Sequence, residues 1–125
     1  MSVYKSKYRG TKEYVKIYTE LITAAKYRGT ITYQEIALIM GLPLTGNLMG
    51  HETGQILGEI SEDELSNGRP MLTAIAIGVS GHPGDRFFEF AKKLGRMKPE
   101  EDKRKFWIKE CQAVYETWRV EIKGK

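Results

Sequence analysis

The chain has 125 residues, 41% of them hydrophobic, and a net charge of +4; this length allows one real core and is too short for two comfortable domains. Its lone cysteine, Cys111, excludes an intramolecular disulfide framework and a cysteine-based zinc site. Because the chain has no signal peptide and no long apolar run, we expect a cytoplasmic protein with no membrane partner.

The charge is unevenly distributed along the chain. Residues 1–28 carry +5, residues 29–68 carry −6 with no Lys or Arg, and residues 69–125 carry +5. Proteins bind duplex DNA largely through Lys and Arg on its phosphates. If DNA is bound, the cations therefore have to come from the segments that flank the acidic centre.

The first predicted elements are a flexible basic arm and a helix. Residues 1–10 alternate Ser, Lys, Tyr and Arg with no apolar period, and residues 11–125 are predicted to form one domain. Apolar positions then recur at spacings of three and four from Thr11 to about Arg28, so a helix is predicted that stops at Gly29.

The next stretch has the pattern of a helix-turn-helix. Thr32 and Glu35 have the spacing of a capping box, which marks the start of a second helix. Gly41 and Pro43 then end that helix, so a third helix, predicted over residues 46–60, must set off at an angle. In this arrangement the third helix is the recognition helix.

A row of glycines runs along the predicted recognition helix: Gly46, Gly50, Gly54 and Gly58 are spaced by four and share one face. Each glycine weakens a helix by roughly 1 kcal/mol relative to alanine, so packing or binding has to compensate. Tight packing against a neighbouring helix and close approach to a sugar-phosphate backbone or a partner helix both fit the pattern.

The remaining elements complete a mainly α fold of the α+β type. Ser61 and Glu64 predict a capping box with one short helical turn, and residues 71–79 predict a strand buried on both faces that forms a wing or its remnant. Two C-terminal helices are predicted, one with Asp85 as its cap and one starting at Pro99, the last with an aromatic face that suits the core or a homodimer contact. The expected architecture is a winged-helix-like helix-turn-helix with a short sheet element and two C-terminal helices.

The central residues resemble a known family. The run Thr32–Ala37, followed by Gly41-x-Pro43 and Asn47–Gly50, is similar to the winged-helix domain of the DNA alkyltransferases that repair alkylated guanine, and of their alkyltransferase-like relatives. The similarity covers about residues 14–50 and, weakly, residues 70–84. It implies that Tyr33 touches the backbone of a nucleotide rotated out of the duplex. It also implies that Asn47 lies where an arginine normally fills the base stack.

The family's reactive centre is missing from this chain. Pro-Cys-His-Arg is replaced by residues 70–73, Pro-Met-Leu-Thr, so Met71 stands at the position of the family's cysteine. A thioether cannot act as the activated thiolate that accepts an alkyl group. We therefore expect no alkyl transfer, no enzymatic activity, no cofactor and no bound metal.

These patterns predict a noncatalytic DNA-binding domain with a role in repair, defence or regulation, and duplex DNA as its partner. The predicted groove and backbone contacts are Tyr33, Gln34, Thr45, Asn47, His51 and Gln55. The predicted phosphate anchors are Arg69, Lys5, Lys7 and Arg9.

Two alternatives remain open. The chain can be a protein-protein interaction module that presents the acidic helix-turn-helix to a basic partner, which requires Glu35, Glu52 and Glu59 to share an exposed face without cations. It can also be an enzyme whose active site is completed by a partner, which requires a polar cleft containing His51 or His82.

Overall fold

The computed structural model describes residues 2–44 and 46–119. Within these ranges five α-helices form: α1 Lys12–Lys26, α2 Tyr33–Met40, α3 Asn47–Ser66, α4 Asp85–Lys93 and α5 Lys103–Trp118. Two short strands, β1 Ile31–Thr32 and β2 Ala76–Ile77, pair in parallel, and a 3₁₀ segment, Leu72–Ile75, leads into β2. The predicted mainly helical class is confirmed.

The starts of α1 and α2 and the end of α2 follow the prediction, whereas α1 ends at Lys26 with Tyr27 as its C-cap, before the predicted end at Arg28 and Gly29. The Thr11 side chain accepts a hydrogen bond from the Tyr14 N–H and so caps α1. The Thr32–Glu35 capping box at the start of α2 is formed in both directions. Gly41 follows α2 in the left-handed region at φ 71°, a conformation that costs little only for glycine.

Helix α3 is longer than predicted, because it continues past residue 60 to Ser66. The expected new start at Ser61 is wrong. The Ser61 hydroxyl donates back to the Leu57 carbonyl at 2.8 Å and also bonds to the Thr73 hydroxyl at 2.7 Å, so it caps nothing. A buried serine with these two partners is compatible with a helix interior.

The strand predicted over residues 71–79 is also wrong for most of its length. Within residues 71–79 only β2 forms a strand, and it pairs in parallel with β1, whereas a wing is built from an antiparallel hairpin. Side chains of α5 satisfy the backbone groups that a sheet would have paired. Glu110 accepts the Met71 N–H at 2.8 Å, and the indole of Trp107 donates to the Ala74 carbonyl at 2.8 Å.

The C-terminal helices differ from prediction at their starts. Gly84 is the N-cap of α4, and Asp85 is the first helical residue. Helix α5 begins at Lys103 and not at Pro99, because the Asp102 carboxylate accepts the Lys105 N–H at 2.9 Å and caps the helix there.

The core surrounds the 3₁₀ segment and β2, against which α1, α3 and α5 pack. Its fully enclosed side chains include Ile17, Leu21, Ile36, Ile56, Ile60, Met71, Leu72 and Ile75. Among the residues that the structure describes, none of the helices combines the length and the apolar character needed to cross a membrane.

Candidate nucleic-acid interface

Residues 2–10, here called the N-terminal strap, lie along the acidic face of α3. Lys7 Nζ donates to Glu52 at 2.6 Å. Arg9 donates to both oxygens of Asp63 at 3.0 Å and to Glu62 at 2.8 Å. The sequence predicts this segment as a flexible arm; in the structure it covers the helix through ion pairs.

Backbone N–H groups of the strap complete the arrangement. The N–H groups of Lys7, Tyr8 and Arg9 all point to the Glu59 carboxylate, at distances from 2.9 to 3.2 Å. Glu59 is fully buried, so these donors replace the water that an ionised carboxylate otherwise requires. Glu62 accepts the backbone N–H of Val3 in the same way.

The fifth acidic residue of α3, Glu64, is paired at the far end of the helix. Arg69 donates to it at 2.8 Å, and the Tyr18 hydroxyl donates to the same oxygen. Each of the five carboxylates of α3 thus accepts from a donor inside the protein. Sequence reasoning noticed the adjacent +5 and −6 blocks but missed that they neutralise each other on one helix.

This pairing lowers the pKa of two of the carboxyl groups. Hydrogen bonds from Lys7 and then Tyr8 hold the pKa of Glu52 below its ordinary value of 4.5. Burial pushes the pKa of Glu62 upward, but the Val3 N–H and the Arg9 guanidinium outweigh it, so that pKa is lowered as well.

Acid is therefore expected to destabilise the fold through these two groups. A lowered folded-state pKa contributes stability that is complete above about pH 4.5 and is lost as the pH falls through the folded-state value. Urea unfolding at pH 7 and pH 3 should show wild type more stable than a Glu52→Gln, Glu62→Gln variant at pH 7, with the gap closing at pH 3. An equal gap at both values would contradict the prediction.

The part of α3 that remains open to solvent is its first turn. Asn47 and His51 are exposed there, as are Gly50 and, at the start of α2, Gln34. Four of the predicted contact positions thus lie at the starts of two helices, Tyr33 and Gln34 on α2 and Asn47 and His51 on α3, with Tyr33 half-buried. Thr45 lies outside the described residues.

The other predicted contacts have partners within the protein. Gln55 donates to the Lys5 carbonyl at 3.0 Å and to Glu59 at 2.8 Å, so it fastens the strap to α3. Lys7, Arg9 and Arg69 are used in the ion pairs described above. Of the four predicted phosphate anchors, Lys5 alone is exposed and makes no ion pair within the described residues.

Tyr33 joins the start of α2 to the loop before α4. Its hydroxyl accepts the Gly84 N–H at 2.7 Å, and its ring lies against Gly78 and Gly84. Burial raises the pKa of the Tyr33 phenol, against the opposing effect of the Gly84 bond. The residue therefore ties the start of α4 to the start of α2.

Two adjoining depressions flank the N-terminal half of α3. The apolar cavity, of about 330 Å³, is lined mainly by Tyr33, Met49, Leu57, Phe87 and Phe90. The cationic groove, of about 310 Å³, includes His51, Arg86 and Lys93 together with Gln55 and one carboxylate, Glu89. Gly54, Arg86, Glu89 and Phe90 line both.

The two sulfur-containing residues considered for chemistry lie elsewhere. Met71 is fully buried in the core. Burial, assisted by the charge of Glu110, raises the pKa of the Cys111 thiol to about 11, so it is protonated at neutral pH. Neither residue presents a nucleophile to the depressions beside α3.

Comparison of the chain with protein-family models, with curated proteins and with solved structures finds no match in any of the three. Its function therefore has to be inferred from the surface just described.

Proposed function

We propose that this chain is a noncatalytic, winged-helix-like DNA-binding domain that presents the first turn of α3 to duplex DNA. The observation that carries the proposal is the internal use of the acidic block. Glu52 and Glu59, which would repel phosphates from an exposed recognition helix, are buried beneath the strap and paired there. Glu35 is exposed, and it is held in the capping box of α2.

The geometry of the corner supports this proposal. In helix-turn-helix proteins the N-terminal residues of the second helix contact base edges. Here the first turn of α3, with Asn47 and His51, is the exposed end of a helix that is otherwise largely buried. Asparagine can pair bidentately with adenine in the major groove. A modest sequence preference would originate at Asn47.

Two further observations bear on catalysis. The buried thioether of Met71 and the protonated thiol of Cys111 supply no alkyl acceptor. The cationic groove does contain His51, as the shared-enzyme interpretation requires. However, no serine, threonine or cysteine is among the described residues that line it, and besides His51 these residues include two basic side chains and one carboxylate. Anion binding accounts for the basic side chains of the groove without requiring a catalytic reaction.

A protein-protein interaction module is the second candidate. The sequence suggests this function because it predicts an exposed acidic face. In the structure, most of those acidic side chains form ion pairs with the strap. A different observation favours it: Leu38, Leu44 and Leu48, in or beside the turn between α2 and α3, are 63%, 40% and 52% exposed.

Fluorescence anisotropy with a short duplex at two salt concentrations tests the proposal. Binding that weakens steeply with salt is expected, because phosphate contacts release counterions. Replacing Asn47 by Ala should weaken binding about tenfold, the loss expected for one good side-chain contact to a base. Circular dichroism melting should show an unchanged fold.

Asn67→Ala, at the opposite end of α3, is the matched control and should bind as wild type does. Unchanged affinity in a folded Asn47→Ala variant would remove Asn47 from the interface. No binding by the wild type at low salt would contradict the DNA proposal and favour the interaction module.

A further inference from the structure

Most of the cations predicted as phosphate anchors already form ion pairs within the protein. Few of the cations near α3 are therefore left to bind a phosphate. Lys7, Arg9 and Arg69 pair with acids of α3, and Arg96 pairs with Glu110 at 2.9 Å. Arg86 is exposed and makes no ion pair within residues 2–44 and 46–119. It lies where the apolar cavity and the cationic groove meet.

The side chain of Arg86 occupies the space left by a glycine of α3. A Cβ atom added to Gly54 would lie 2.1 Å from Nη1 of Arg86 and 2.9 Å from its Cδ. The guanidinium group therefore rests directly on the helix backbone, beside the exposed first turn. At Gly50, one turn earlier, an added Cβ atom would meet nothing within 4 Å. Gly54 thus leaves room for a neighbouring side chain, whereas Gly50 has open space beside it.

A hydrogen bond from Gly84 to Tyr33 also positions the main chain near Arg86. Tyr33 accepts the N–H of Gly84, two residues before Arg86, and so ties the start of α4 to α2. Tyr33 and Gly54 together place this guanidinium next to the helix-turn-helix corner. On the groove side, Lys93 adds positive charge and His51 adds a polar imidazole, and Glu89 is the one carboxylate among the described residues that line the groove.

We propose that Arg86 binds a backbone phosphate of DNA, with Lys93 as a flanking cation and the His51 imidazole beside it, and that Gly54 serves to admit the Arg86 side chain. This inference rests on the DNA-binding function proposed above. The planar guanidinium presents several donors in a geometry that matches phosphate oxygens. A phosphate bound here would set the register of the first turn of α3 on the duplex.

The test compares Arg86→Gln with wild type by fluorescence anisotropy on a short duplex across a salt series. Affinity should fall about tenfold, and the slope of log K against log salt should become shallower by about 0.9, the change for one lost phosphate contact. Arg104→Gln, at an exposed position of α5, removes the same charge and should leave the slope unchanged. Arg86→Lys should keep the slope and recover part of the affinity.

Gly54→Ala tests the positioning role. The new methyl group should displace the end of the flexible Arg86 side chain, so DNA binding should weaken as in Arg86→Gln. Thermal stability should be equal or higher, because alanine favours a helix. Gly50→Ala is the control for that stability gain. The Gly54→Ala, Arg86→Gln double variant should bind no more weakly than Arg86→Gln alone.

The outcomes separate the two proposals. If wild type binds no duplex even at low salt, the proposed function fails. If wild type binds and Arg86→Gln matches Arg104→Gln in affinity and slope, the function stands and the assignment of Arg86 is overturned. If Arg86→Gln weakens binding but Gly54→Ala does not, the role of Gly54 is overturned.

Discussion

Replacing Arg9 by Met is expected to lower the free energy of unfolding by about 3 kcal/mol. The guanidinium of Arg9 donates to Asp63 and Glu62 and also to the backbone carbonyl of Tyr4, which ties the strap to α3. Methionine keeps much of the side chain's length but leaves two shielded carboxylates without their cation. Urea denaturation at neutral pH measures the effect.

Deletion of residues 1–10 sets an upper limit on this loss. Once the strap detaches, water solvates the acids of α3, so Arg9→Met cannot cost more than release of the whole strap. Lys5→Met replaces an exposed cation of the same strap and should change stability by less than about 0.5 kcal/mol. An Arg9→Met variant as stable as Lys5→Met would show that the ion pairs do not hold the strap.

The strap also affects how DNA-binding measurements on a chain without residues 1–10 have to be interpreted. Without residues 1–10, four carboxylates of α3 lose donors from the strap, and they would repel phosphates next to the first turn. Weaker binding by the truncated chain would therefore not place a DNA contact in the strap. Point variants such as Arg86→Gln, which leave the strap in place, separate contact from repulsion.

Replacing Glu110 by Leu is expected to destabilise the fold by a similar amount, about 3 kcal/mol. Glu110 is 4% exposed and accepts two N–H groups of Arg96, at 2.9 and 3.0 Å, as well as the Met71 N–H. Leucine would leave the buried Met71 N–H without an acceptor at the entrance to the 3₁₀ segment. Urea unfolding again provides the measurement.

Arg96→Met is expected to be costly for the opposite reason, since it leaves the Glu110 carboxylate buried with one remaining donor. The double variant should therefore be more stable than the sum of the two single effects predicts. Glu116→Leu is the matched control on α5, because its carboxylate is 63% exposed and pairs only at the surface. Equal stability of Glu110→Leu and Glu116→Leu would refute the structural role of Glu110.

Local signals explain the parts of the fold that could be predicted. The Thr32–Glu35 capping box and the left-handed Gly41 act within a few residues of chain, so their interactions can be read without knowing the fold. The same local logic fails at Ser61, because its hydroxyl finds Leu57 and Thr73 instead of a free helix end. A tertiary contact there overrides a correct local pattern.

The candidate interface likewise has one part that could be predicted from the sequence and one part that could not. The exposed start of α3 follows from the position of Gly41 and the turn after it, and its predicted contacts Asn47 and His51 are exposed. The choice among cations does not follow from sequence, since Arg9, Arg69 and Arg86 are equivalent as residue types. Only their positions in the fold separate the two that pair internally from the one that is open.

The sequence by itself determined where α1 and α2 begin, where α2 ends, and that opposite charges occupy neighbouring blocks, because these properties depend on residues close together in the chain. The tertiary structure alone decided that the strap neutralises α3, that residues 71–75 form a 3₁₀ segment supported by Glu110, and that Arg86 rests on Gly54. Each of these pairs joins residues at least 30 positions apart, and a hydrogen bond or close contact over that distance depends on how the whole core packs.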